Sequence, residues 1–191
     1  MSRKYLSCAI LVACVGILLT GCMPKMTIEE MKAKMPERPA ELDKLNAFIG
    51  KWQYEGKAHM PMLKDQESLM ITGEGEYVWE GDKWYMVGRG DMEMEHFDRS
   101  QGLEAWTYDV RDKKYRAIWV ESMGMSGIGE VRYDEKANTW HMKATSYGPS
   151  GKSTAKGWLK FTDPDTMEWW FAEHQGLMKT AEMSGTAKRV K

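Results

Sequence analysis

Gly50-Lys51-Trp52-Gln53-Tyr54-Glu55-Gly56-Lys57-Ala58-His59 puts Trp52, Tyr54, Gly56 and Ala58 at every second position, with Gln53, Glu55, Lys57 and His59 between them. A two-residue period is that of a β-strand, whose successive side chains point to opposite faces. Residues 84–94 repeat it, with Trp84, Met86, Gly88, Gly90, Met92 and Met94 sharing one side against Lys83, Arg89, Asp91 and Glu93. One side of each segment is aromatic, thioether or glycine and the other is charged, as in an antiparallel sheet with one face buried and one wet.

The same period runs almost to the carboxyl end. It predicts strands at 51–59, 67–79, 84–94, 102–109, 115–121, 125–133, 139–147, 153–162, 167–174 and 177–189. Turn residues stand between them, as in Glu80-Gly81-Asp82, Gly148-Pro149-Ser150-Gly151 and Asp163-Pro164-Asp165. No segment offers a crossover helix, so parallel pairing is excluded and the strands form an antiparallel meander. Ten such strands lose their exposed edges by closing into an up-and-down barrel. Glycines recur two apart at Gly73 and Gly75, Gly88 and Gly90, and Gly127 and Gly129, each pair facing one way. Within strands, glycine relieves crowding or lets the sheet bend.

Before the first strand, Leu42, Leu45, Phe48 and Ile49 recur at helical spacing over 41–49 and stop at Gly50, predicting a short helix that caps or plugs the barrel. A second short helix is expected at 27–34, ended by Pro36 and Pro39. Further upstream, Arg3 and Lys4 precede an uncharged run over 5–20 that ends in Leu19-Thr20-Gly21-Cys22. A basic start, a short apolar run and small residues before a cysteine are the pattern of a lipoprotein signal peptide. The run is shorter than the roughly 20 residues that a spanning helix needs. The expected organisation is therefore a signal peptide at 1–21, a lipid-anchored tether at 22–40 with the lipid on Cys22, and a barrel domain at 41–191. Met23, not aspartate, follows Cys22, which favours the outer membrane, facing the periplasm, over the inner membrane.

Cys8, Cys14 and Cys22 are the only cysteines, so a chain processed at Cys22 keeps no free thiol for a disulfide, a zinc thiolate or a nucleophile. Losing Arg3 and Lys4 leaves 25 of the 27 basic residues against 28 acidic ones, a net charge of −3, which argues against a nucleic-acid partner.

Gly50-Lys51-Trp52, opening the first strand after a helix, resembles the Gly-x-Trp signature of lipocalin-like barrels. The wider run of 45–52, Gly102-Leu103-Glu104-Ala105-Trp106-Thr107-Tyr108-Asp109, Lys114-Tyr115 and Trp119-Val120-Glu121-Ser122-Met123 resembles the bacterial family called domain of unknown function 1579, over roughly 45–189. That family is placed among the calycin-like barrels. The resemblance implies an all-β, lipocalin-like barrel and no established activity. Where family members usually carry Gly-Tyr-Asp, this chain has Thr107-Tyr108-Asp109.

Chemistry is sparse. No G-x-S-x-G elbow or phosphate-binding loop is present, and an enzyme is not expected. His59, His96, His141 and His174 stand in separate segments without metal-ligand spacing. His174, beside Trp169, Trp170 and Phe171, is the residue that a haem-binding reading would use. Met60-Pro61-Met62, Met92-Glu93-Met94 and Met123-Gly124-Met125 each put two thioethers on one face, which suits Cu(I) or, more simply, an adaptable apolar lining. Arg89, Glu121, Glu173 and Lys179 are charged residues that alternation could turn inward. The expected function is an envelope lipoprotein that binds a small, largely apolar ligand in a lumen lined by Trp52, Tyr54, Trp84, Met86, Trp119, Trp140, Trp158 and Trp169. No resident cofactor or metal is expected, and no protein partner is identified. A structural or protein-interaction module with its barrel filled by side chains is the alternative.

Overall fold

The computed structural model describes residues 25–64 and 68–191. Cys22 and the signal stretch lie outside the described residues. The chain divides after Glu37 into two units. In the first, α1 (Ile28–Ala33) is a six-residue helix whose start is fixed by a capping box: the Glu30 amide donates to Thr27 Oγ1 and the Thr27 amide to the Glu30 carboxylate.

The second unit, Arg38–Lys191, is the barrel. Among the described residues its strands are β1 (Gly50–His59), β2 (Leu69–Glu80), β3 (Tyr85–Met94), β4 (Ser100–Asp109), β5 (Lys114–Glu121), β6 (Ser126–Asp134), β7 (Thr139–Gly148), β8 (Gly151–Asp163), β9 (Thr166–Gln175) and β10 (Met178–Arg189). Each pairs antiparallel with its sequence neighbours, and β1 closes the cylinder by pairing with both β2 and β10, with Trp52 opposite Gly75 on one side and Arg189 on the other. The fold is the closed, ten-stranded antiparallel barrel expected from the two-residue period.

An up-and-down barrel sends alternate turns to opposite ends. The β2–β3, β4–β5, β6–β7 and β8–β9 turns share one end with Gly50 and Arg189, and a 3-10 helix, Ala40–Ala47, closes that end. The short helix expected over 41–49 takes 3-10 form, whose three-residue turn brings Leu42 and Leu45 to one side, both fully buried. Phe48, just past it, inserts among Tyr77, Trp106, Trp140 and Phe161 with ring centroids 5.1–6.0 Å away. Polar bonds tie the helix to the rim: Tyr115 donates to the Glu41 carbonyl at 2.7 Å, Trp79 Nε1 to Asn46 Oδ1 at 2.8 Å, and Trp52 Nε1 to the Phe48 carbonyl at 2.7 Å. The main hydrophobic core therefore fills the helix-capped end of the barrel.

Candidate functional site

Alternation along each strand settles which residues face the lumen, and distance from the helix settles what they do there. Near the helix the inward residues are large and interlocked. Towards the other end, inward positions on β4, β6, β7 and β8 become Gly102, Gly127, Ala144, Ser146 and Ala155. Residues this small cannot fill the cylinder, and a cavity of about 330 Å³ remains. Its apolar wall includes Tyr54, Trp119, Phe171, Met92, Met142 and Met183.

Glycine positions decide how the rings lie. A Cβ on Gly73 would come within 2.3 Å of the Tyr54 ring, one on Gly88 within 2.5 Å of Tyr77, one on Gly127 within 2.0 Å of Trp119, and one on Gly157 within 2.1 Å of Phe171. The space that these glycines leave is thus occupied by rings lying against the neighbouring strands. Ring and glycine together make a smooth wall, and the cavity is the volume left beyond it.

Three carboxylates also face this space: Glu104 on β4, Glu121 on β5 and Glu173 on β9. Glu104 is held by two donors, the Tyr77 hydroxyl at 2.5 Å and Trp106 Nε1 at 2.6 Å. Glu173 accepts from the Ser153 hydroxyl. Among the described residues, the Glu121 carboxylate has neither a hydrogen-bond donor nor a counter-ion. Burial, with Glu173 and then Glu104 adding repulsion, raises its pKa above the ordinary glutamate range. Burial likewise raises the Tyr54 and Tyr77 hydroxyls, the latter also facing Glu104. Both tyrosines therefore stay neutral donors, Tyr54 towards the Asp91 carbonyl. Ser100, 4% exposed and on the cavity wall, has a hydroxyl with no hydrogen-bond partner.

Of the eight residues expected to line the lumen, the structure brings Tyr54 and Trp119 to the cavity. Trp52, Met86 and Trp140 face inward but are buried in the packed core near the helix. Trp84 stands at the β2–β3 turn and packs partly buried against that core. Trp169 faces inward over Gly56 and Gly185, between the core at the helix-capped end and a second cluster of Ala58, Leu69 and Ile71. Trp158 pairs in register with His141 and Trp170, on the outer face.

The other charged candidates separate cleanly. Arg89 contributes backbone to the cavity wall while its guanidinium reaches Glu80 at 3.0 Å, and Lys179 pairs with Glu182. His174 follows Glu173 and so faces away from the lumen; among the described residues no histidine lines the cavity. Of the three methionine pairs, only Met92 and Met125 line it, joined by Met142 and Met183 from other strands. Among the described residues, no three His, Cys, Asp or Glu side chains are grouped so as to hold a metal ion.

Sequence reading missed Glu104 and Ser100. A usable signal was present: each lumenal carboxylate stands two positions from an inward ring, Glu104 from Trp106, Glu121 from Trp119 and Glu173 from Phe171.

The chain belongs to the family described as "Protein of unknown function (DUF1579)", whose model matches residues 37–187. No curated protein sequence matches it. Among solved structures it is similar to Rv2717c from M. tuberculosis, at 11% identity and a TM-score of 0.63, covering 81% of this chain and 100% of that one. It is also similar to the S-type phycobiliprotein lyase CPES from Guillardia theta, at 9% identity and a TM-score of 0.55, covering 87% of this chain and 99% of that one. At such identities the likeness is one of fold.

Proposed function

We propose that this chain is a lipid-anchored lipoprotein of the bacterial envelope whose barrel binds a small, largely apolar molecule. The observation that carries the binding reading is the cavity of about 330 Å³ walled by Tyr54, Trp119, Phe171 and methionines. A space of that size, mostly apolar and with a few polar groups converging on it, is the usual form of a small-molecule site. Removing apolar surface from water contributes about 25 cal/mol per Å² before the cost of immobilising the ligand. The four thioethers add a surface that adapts to different ligand shapes. The anchoring reading rests on the signal-like start and Cys22, and an aqueous site on a tethered barrel suits capture of a ligand near the membrane.

Native mass spectrometry of the full-length protein extracted from its own membranes tests the binding reading. It should show a bound small mass that dissociates on activation; a uniformly ligand-free spectrum, with no uptake of added apolar probes, overturns it. Anchoring is tested separately by Cys22→Ser, which should move the protein out of the membrane fraction.

A further inference from the structure

We infer that the ligand of this cavity is a cation, specifically an amphipathic molecule with a protonated amine, whose ammonium group sits between Glu121 and Glu173 and whose apolar body rests on Trp119, Phe171 and the methionines. The inference rests on the ligand-binding reading above and adds the chemical class.

Four observations lead to it. Among the described residues the lumen carries three carboxylates and no lysine or arginine ammonium or guanidinium turned into it, since Arg89 is drawn outward to Glu80 and Lys179 to Glu182. Structural demand explains one of the three: Glu104 organises Tyr77 and Trp106. It does not explain Glu121, a half-buried carboxylate without donor or counter-ion among the described residues, facing two further carboxylates. A buried charge with no partner is costly to keep, and a glutamine or a hydrophobic residue would remove the cost. The fourth observation is the Ser100 hydroxyl, 4% exposed, unpartnered and on the same wall. Buried polar groups are nearly always satisfied, so an orphan at a cavity marks a place where something else completes the bonding.

The chemistry of these groups selects among cations. A bare metal ion needs several carboxylate oxygens converging at short range, and no such group exists among the described residues. A quaternary ammonium has no N–H to offer Glu121, Glu173 or Ser100. A protonated amine offers three donors from a compact charge, matching two carboxylates and a hydroxyl oxygen. The ring faces of Trp119 and Tyr54 on the same wall favour a nearby cation further. An anionic ligand, such as a fatty acid, would meet uncompensated repulsion.

Calorimetry of the full-length protein in nanodiscs, with empty nanodiscs subtracted, decides the matter with three indoles alike in shape: tryptamine, the neutral tryptophol and anionic indolepropionate. Tryptamine should bind roughly tenfold or more tightly than tryptophol, the size expected of a charge-assisted hydrogen bond, and indolepropionate should bind weakest. Glu121→Gln and Glu173→Gln should each erase most of the tryptamine advantage over tryptophol. Tryptamine binding should also weaken on acidification, because Glu121 must lose its proton to receive the ammonium. Equal binding of all three, unaffected by either substitution, overturns the cation assignment and leaves the ligand-binding reading standing. Tightest binding by indolepropionate overturns it in the opposite direction. If none binds and the extracted protein is also ligand-free, the ligand-binding reading itself falls.

Discussion

Glu121 harms the fold, and the proposed amine site is what would employ it. Its carboxyl holds a proton more tightly in the folded protein than in the unfolded chain, because burial and the facing Glu173 and Glu104 penalise the charge. The stability it contributes is therefore complete below the ordinary glutamate range and is lost as pH rises through its raised value. Glu121→Gln cannot ionise, so the ligand-free variant should be more stable than the native protein at neutral pH. The gain should shrink to nothing as pH falls towards the ordinary glutamate range. Urea denaturation of both proteins across that interval measures it. Equal stability at all pH values would mean that water already solvates the carboxylate fully. Glu104 is the counter-example, since its two donors make it part of the fold, and it offers a ligand less free lone-pair capacity than its neighbours do.

At the scale of elements, the helix-capped end is held by Arg189 at the end of β10. Its guanidinium donates to the carbonyls of Ile49, Ala47 at 2.8 Å and Pro164 at 3.0 Å, meets Asp165 at 3.1 Å, and lies 4.3 Å from the Trp52 ring. One planar fork thus joins the helix exit, the start of β1, the β8–β9 turn and the core. A lysine ammonium cannot span those directions. Arg189→Lys should cost about 2 kcal/mol or more in chemical denaturation, on the scale of lost charged hydrogen bonds, whereas Lys188→Arg next to it should be nearly neutral. The same elements show what was legible beforehand. Strand alternation identified Trp52, Tyr54, Gly56 and Ala58 as one face and Met86, Gly88, Gly90 and Met92 as another, and both faces turn inward. Alternation carries no information about height along the barrel axis. Trp52 and Tyr54 stand two residues apart, yet the first is sealed under Phe161 and the second borders open space. Height follows from which turns share an end with the plug helix, and that requires the whole topology. Trp158 was misplaced for another reason: alone it looks like core, but its cross-strand partners His141 and Trp170 lie outside. Glu121 and Glu173 were open to an inward reading by alternation, whereas Glu104 escaped because charge in a strand ordinarily marks the wet face.

Taken whole, the barrel is two structures in one cylinder. Its plugged half is dense with interlocking rings, which supply the stability, and its open half alternates small residues with rings and acids, which leaves the volume. The division predicts that inward substitutions behave oppositely at the two ends. Met86 is fully buried among the packed rings, so Met86→Trp has no space to enter and should cost about 1–3 kcal/mol by overpacking while leaving the cavity intact. Ala155, on the inner face of β8 between Ala144 and Glu173 in register, borders the cavity instead. Ala155→Phe projects a ring into free volume, so stability should change by less than about 1 kcal/mol. Under the proposed ligand-binding reading the volume it takes is the ligand's, and affinity should fall about tenfold or more. Native mass spectrometry of the extracted variants, paired with urea denaturation, reads both quantities: Met86→Trp should keep its bound mass and lose stability, and Ala155→Phe should do the reverse. If Ala155→Phe unfolds the protein, or if both variants keep the same bound mass, the upper lumen is not where the ligand resides.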